Sequence, residues 1–254
     1  MGAGHAHRLH HPGTSPVHRL PAPCKILATL GLTLAVTATP REAVWAFGGY
    51  ALLIAAVTAL ARLPFGLVAR RLLIEVPFIA FALLLPLTVP GETTRLLGLD
   101  LSLPGLWGAW NILAKATLGV AASVVLAATT APTALLLGLQ RLGLPPLLLQ
   151  IAAFMVRYAD LLTEESRRMS IARRSRGFEA RGPHHWRVLA ASAGALFVRA
   201  FERGERVHLA MVSRGGTGAL PPLADTAATR AQWCCALALP AAALALCLMG
   251  WTTR

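Results

Sequence analysis

Of 254 residues, 56% are hydrophobic and only 14% charged, where a soluble domain carries about one charge in four residues; the composition is that of a membrane protein. The net charge of +13 comes from 24 basic and 11 acidic residues, and since Lys25 and Lys115 are the only lysines the cationic character is almost wholly arginine. Such a balance suits anionic headgroups, nucleic acid or an acidic partner groove. Cys24, Cys234, Cys235 and Cys247 have neither CxxC nor metal-ligand spacing, which argues against a disulfide scaffold or a zinc site.

The chain opens with a His-rich tail, residues 1–25, without apolar periodicity, read as disordered. Imidazole clusters bind Co, Ni or Zn, so His5, His7, His10 and His11 are candidate ligands, but nothing in the pattern fixes them and no metal site is assigned. Apolar runs follow at 26–39, 43–60, 72–89, 106–131 and 231–250, against the roughly 20 residues a transmembrane helix needs. The first is short, so it either tilts in a thinned bilayer or continues through Pro40 with a kink. It also resembles a signal peptide, with Arg8, Arg19 and Lys25 ahead of it and small residues near its end, but is read as a retained span because the next run begins at Ala43.

Short loops set the orientation, because a positive excess marks the cytoplasmic side. Residues 61–71 carry Arg62, Arg70 and Arg71 without an acid. Residues 40–42 balance Arg41 with Glu42, and residues 90–105 set Arg95 against Glu92 and Asp100. The N-terminus is therefore expected inside, the fourth span returns the chain to the cytoplasm near residue 131, and the fifth leaves the C-terminus outside. The expected fold is all-α: a polytopic bundle of about five spans, with four in 26–131, a basic cytoplasmic helical domain at 132–230, and the last span and C-terminus at 231–254.

In that domain, Arg141 to Arg214 holds thirteen arginines against six acids. Pro145 and Pro146 suit a first helical turn, the pattern then runs without Gly or Pro to Ser175, and Gly177 stops it. A second helix is predicted from His185 or Trp186 to Gly215. Phe197, Ala200, Phe201, Gly204, Val207 and Met211 form its apolar stripe, expected to pack on the first helix, and Glu202 and Arg206 are spaced as an i,i+4 pair.

No GxxxxGK[ST], HExxH or GxSxG occurs, and no pair of carboxylates lies inside a span, so the chain is not expected to be an ATPase or any other enzyme. What recurs is Ser-Arg-Gly, as Ser175, Arg176, Gly177 and as Ser213, Arg214, Gly215, each time closing a long helix. Capping alone explains Gly in a left-handed conformation and Arg beside the negative end of the helix dipole. A second explanation is a pair of guanidinium groups presented for bidentate contact with carboxylates of a partner.

With FERGERVHLAMVSRGGTG (201–218), RYADLLTEESRRMSIARRSRGFEARG (157–182) and the middle runs at 63–86 and 110–130, the chain resembles the T component of energy-coupling factor transporters, in the cobalt-type CbiQ branch. The resemblance implies a non-catalytic coupling subunit of an ATP-driven cobalt importer without cofactors, its nickel counterpart being the alternative. Ser175–Gly177 and Ser213–Gly215 would dock on ABC ATPase subunits, which hydrolyse ATP, and a separate substrate-binding membrane subunit (S component) would carry the metal through the prokaryotic cell membrane. Ser stands where Ala is more usual, a small-for-small change. A membrane-anchored basic module for RNA or anionic lipid is the rival from another class. It is disfavoured because the aromatics fall on apolar stripes, and no nucleic-acid partner is expected.

Lys115 lies mid-span, where an ammonium is costly and a functional candidate by default. The sequence offers Asn111, one turn away, or backbone carbonyls as its acceptors, in a structural or interface role. Glu75 is expected to pair with Arg71 at i,i+4.

Overall fold

The computed structural model describes residues 11, 13–90, 92–96, 99–178, 185–215 and 228–253. They form ten α-helices and one small ribbon: α1 Pro16–Arg19, α2 Ala22–Ala38, α3 Val44–Leu60, α4 Phe65–Leu72, a 3-10 turn Leu73–Glu75, α5 Val76–Thr88, β1 Thr93–Leu96, β2 Leu99–Ser102, α6 Leu103–Thr129, α7 Pro132–Arg141, α8 Pro146–Ser175, α9 Trp186–Ser213 and α10 Arg230–Thr252. The two strands pair antiparallel, Thr93 opposite Ser102, in the loop between the third and fourth apolar runs. The chain divides into two compact units, residues 9–138 with 224–254 and residues 1–8 with 139–223.

The first unit is a bundle whose core is supplied by α2, α3, α6 and α10. Val36, Ala46, Phe47, Leu118, Ala121, Val125, Ala128 and Ala243 are buried together, and the Phe47 ring meets Trp110 edge-on at 6.2 Å. A buried polar knot joins three of these helices: Thr39 and Tyr50 share a hydrogen bond of 2.8 Å between their hydroxyls, and the Tyr50 hydroxyl donates to the Ala243 carbonyl at 3.2 Å. Every polar group inside hydrocarbon needs such a partner. Apolar side chains on the outside of the bundle, Leu34, Leu52, Phe81 and Leu83 among them, are exposed in the chain alone, as lipid-facing residues are.

α6 and α10, of 27 and 23 residues, are long and apolar enough to cross a membrane, and α2, α3 and α5 are shorter apolar helices. The first span differs from its expectation. It gains length backwards, beginning at Ala22 with Pro23 in its first turn, and stops at Ala38, so Pro40 is not inside it. Proline at a helix start replaces a donor that would be orphaned anyway, and residues 13–25, expected to be disordered, include α1 and the first turn of α2. The third run is likewise not one regular helix, because the 3-10 turn separates α4 from α5. α5 and α6 approach so closely that a Cβ on Gly105 would stand 2.6 Å from the Leu85 carbonyl oxygen and 2.7 Å from the Pro86 Cα.

The second unit is built on α8 and α9, whose bounds follow the predicted starts and stops: Pro146 opens α8, and Gly177 and Gly215 follow the two last turns. By length and hydropathy alone α8 too is a candidate to cross a membrane, but Glu164, Glu165, Arg167, Arg168, Arg173 and Arg174 fill its second half. Glu165 takes Arg199 of α9 at 2.6 Å, and Arg176 shares a groove with Ser192. Numbers rising on one helix as they fall on the other make the pair antiparallel.

Candidate functional site

Both Ser-Arg-Gly motifs end their helices by the same local chemistry. At the end of α8 the Gly177 N–H donates to the Arg174 carbonyl at 2.9 Å and the Phe178 N–H to the Arg173 carbonyl at 3.1 Å, the paired bonds of a Schellman cap. At the end of α9 the Gly215 N–H donates to the Val212 carbonyl at 3.0 Å. Gly177 and Gly215 have φ of +75° and +77°, a conformation that penalises any residue with a Cβ. The serines turn inward: Ser175 donates to the Ile171 carbonyl at 2.9 Å and Ser213 to the Ala210 carbonyl at 3.0 Å. Of each motif, the arginine side chain is the one that makes no hydrogen bond or ion pair among the described residues.

Arg176 and Arg214 are exposed. Several arginines on the helix bodies are engaged within the unit: Arg167 and Arg168 on Glu164 at 2.7 and 3.3 Å, Arg199 on Glu165, and Arg206 on Glu202 at 4.0 Å, the predicted i,i+4 pair. The hydrogen bonds from Arg167 and Arg168 hold the Glu164 carboxyl down at about 2. The groove at Arg176, about 370 Å³, is lined by Arg168, Arg173, Arg176 and Arg199 against the single acid Glu165, so it favours anionic groups.

The antiparallel arrangement separates the two arginines. From the Glu165–Arg199 contact, Arg176 lies eleven residues along α8 and Arg214 fifteen along α9, roughly 16 and 22 Å in opposite directions at 1.5 Å per residue. They form two end sites, not one cluster. The apolar stripe of α9 is also used differently from the expectation. Leu196 and Ala200 line a common groove with Leu161 and Leu162 of α8, while Phe197 and Phe201 stay 71% and 66% exposed. A single helix can cover only part of a broad stripe, and Leu196 and Ala200 lie on the side of α9 where Arg199 meets Glu165.

In the bundle, Lys115 donates to the Thr37 carbonyl at 2.8 Å, tying α6 to the last turn of α2; the carbonyl alternative, not Asn111, is the one present. Glu75 is 3% exposed and accepts from Thr117 at 3.0 Å. Glu75 closes the 3-10 turn and faces α6 through this bond. Sequence reading missed Lys25, which is 7% exposed and donates to the carbonyls of His18 at 3.2 Å and Thr129 at 3.0 Å. Its only signal was a basic residue ahead of an apolar run, the ordinary mark of a cytoplasmic flank. His5, His7 and His10 lie outside the described residues; His11 uses its N–H on the Ala128 carbonyl at 2.9 Å, and no group of three metal-ligating side chains occurs among the described residues.

The family model for CbiQ, a cobalt transport protein, matches residues 13–223. The energy-coupling factor transporter transmembrane protein EcfT of Heliobacterium modesticaldum is 32% identical over 224 residues, 82% of this chain and 83% of the relative. That of Thermanaerovibrio acidaminovorans is 32% identical over 225 residues, 82% of each. An uncharacterised protein of Methanocaldococcus jannaschii is 33% identical over 96 residues, 38% of this chain and 36% of the other. The matched stretch includes both arginine ends and four of the five apolar runs, and this chain belongs to the CbiQ/EcfT family of transmembrane components of energy-coupling factor transporters.

Proposed function

We propose that the chain is the non-catalytic coupling subunit of an ATP-driven importer for cobalt, with its N-terminus and second unit in the cytoplasm and its C-terminus outside. Partner ABC ATPases would hold Arg176 and Arg214, and closing of the ATPases would move α8 and α9 against a separate substrate-binding membrane subunit. The observation that carries this reading is the pair of identical helix ends, in which Ser and Gly are consumed by the cap while an exposed arginine is left over. Guanidinium groups suit bidentate carboxylate contacts, and two ends facing opposite ways along an antiparallel pair suit two ATPase subunits. Phe197 and Phe201, open on α9, add apolar surface for the same partners. Cobalt is favoured over nickel by the name of the matching family.

Affinity purification of the tagged chain from its host, with radiolabelled cobalt and nickel uptake measured in the same cells, tests the proposal. Two ATPase chains and a second membrane protein should co-purify, and deletion of the gene should abolish cobalt uptake. Nickel uptake lost with cobalt uptake intact would transfer the assignment to nickel. Purification with RNA and without ATPases would overturn the coupling role.

A further inference from the structure

The bundle contains a half-enclosed cavity of about 240 Å³ where α1, α2, α3, α6 and α10 meet, with Val17, Leu20, Ala28, Val57, Leu60 and Leu239 on its walls. Lys25 lines it as well, and it is the one charged residue that does. The threonine hydroxyls of the lining donate within their own helices: Thr29 to the Lys25 carbonyl at 2.9 Å and Thr129 to the Val125 carbonyl at 2.8 Å. The acceptors of the Lys25 ammonium, the carbonyls of His18 and Thr129, are both neutral. An ammonium has three hydrogens to donate, and a buried charge without a counter-charge is costly. A positive group therefore stands, uncompensated by any described carboxylate of the lining, on the wall of an apolar cleft.

More positive charge lies close to the lining residues in sequence. Arg19 ends α1, Arg62 follows Leu60 by two residues, and Arg230 opens α10 ahead of the lining residues Cys235 and Ala236; all three are exposed. Asp225, outside the described residues, is the one acid within ten positions of any of these four cations. An apolar cavity of about 150 Å³ admits benzene, so this one admits a length of alkyl chain but leaves a headgroup outside. Inorganic phosphate would satisfy the charges and waste the apolar walls.

We propose that this cavity is a binding site for one anionic phospholipid, with part of an acyl chain in the cleft and the phosphate near Lys25, Arg19, Arg62 and Arg230. On the proposed orientation it belongs to the inner leaflet. The lipid fastens residues 13–21 to the bundle, because α1 forms one wall of its site. The coupling role does not enter the proposal.

Native mass spectrometry of the full chain in mild detergent tests it, by titration with palmitoyl-oleoyl phosphatidylglycerol and, separately, with the phosphatidylcholine of the same chains. One phosphatidylglycerol should be retained with a preference of about tenfold, from the attraction of several basic residues to one anionic headgroup. Lys25→Met should lower that preference several-fold. Because that variant also unpairs two carbonyls, Leu60→Trp, at a position 59% exposed at the cavity, provides the independent arm: it should keep the helical circular dichroism and lose most of the retained phosphatidylglycerol. Equal retention of the two lipids by the unmodified chain, undiminished retention in Leu60→Trp, or displacement of the lipid by inorganic phosphate at matching concentration would each overturn the proposal.

Discussion

The bundle and the α8–α9 pair satisfy their polar and apolar groups in opposite ways. In the bundle, helices close on one another: Tyr50, Thr39, Lys25 and Lys115 each send a hydrogen bond to another element, and alanines at 121, 122, 128 and 243 let the backbones approach. In the pair, α9 has no buried residue and Leu149 is the one buried residue of α8. Its specific contacts are ion pairs at the surface, which contribute little to stability. Helices that bury side chains against one another fix much of their own shape, whereas the pair, with one buried residue, leaves Phe197, Phe201, Arg176 and Arg214 open to partners. Mutations should therefore cost the bundle stability and cost the pair assembly.

The largest effect is expected at the helix ends. Arg176→Ala with Arg214→Ala should leave expression and helicity unchanged and release the ATPases on purification, since truncating one member of a desolvated charge pair costs about 2 to 5 kcal/mol. Arg176→Lys and Arg214→Lys distinguish coupling from capping. Lysine keeps the charge at the helix end, so a pure cap would lose a few tenths of a kcal/mol at most, while a bidentate contact fails because the fork is gone. Most cobalt uptake should be lost in both lysine variants. Full uptake and intact co-purification in the double alanine variant would remove the functional difference between the two regions.

Gly105→Ala puts the next largest cost in the bundle, because the new methyl meets backbone of α5 that no rotamer change can move. Overpacking of this kind costs about 1 to 3 kcal/mol. The expected result is a lower thermal midpoint in detergent with ATPase binding retained in what remains folded; a midpoint equal to the unmodified chain would mean that α5 and α6 are not held this tightly. The two lysines then grade the bundle internally. Lys25→Met leaves two carbonyls to find other partners and should cost about 1 to 3 kcal/mol. Lys115→Met removes one bond, worth roughly 0.6 to 1.7 kcal/mol between membrane helices, and should lower the midpoint by less. The reverse order would show that the half-buried lysine, not the fully buried one, holds α2 to α6.

The smallest effect belongs to Glu164. Its carboxyl is lowered to about 2 by Arg167 and Arg168, against about 4.3 for an unperturbed glutamate. The contribution is therefore fully present above about 4.3 and disappears as the pH falls toward 2. Glu164→Gln should differ slightly from the unmodified chain at neutral pH, and the difference should vanish at the acid end of that range. A difference that grows on acidification would place the effect elsewhere.

The sequence by itself determined the five apolar helices and the two long basic ones, because their signals are local; the short helices α1, α4 and α7 and the β1–β2 ribbon were not legible in it. A hydrocarbon core demands long apolar runs, and those runs return as α2, α3, α5, α6 and α10. Prolines at 145 and 146 and glycines at 177 and 215 start and stop the long helices through backbone sterics alone, and the repeated Ser-Arg-Gly was legible for the same reason. Tertiary structure decided what depends on rotation and on distant partners. It faced Glu75 to Thr117 by way of a 3-10 turn, and left Phe197 open while Leu196 met α8. It also carried Lys25 across 104 residues of sequence to the Thr129 carbonyl. Periodicity records which side of a helix is apolar, but which neighbour covers that side is fixed only when the helices pack, since many rotations bury similar apolar area and a few hydrogen bonds choose among them.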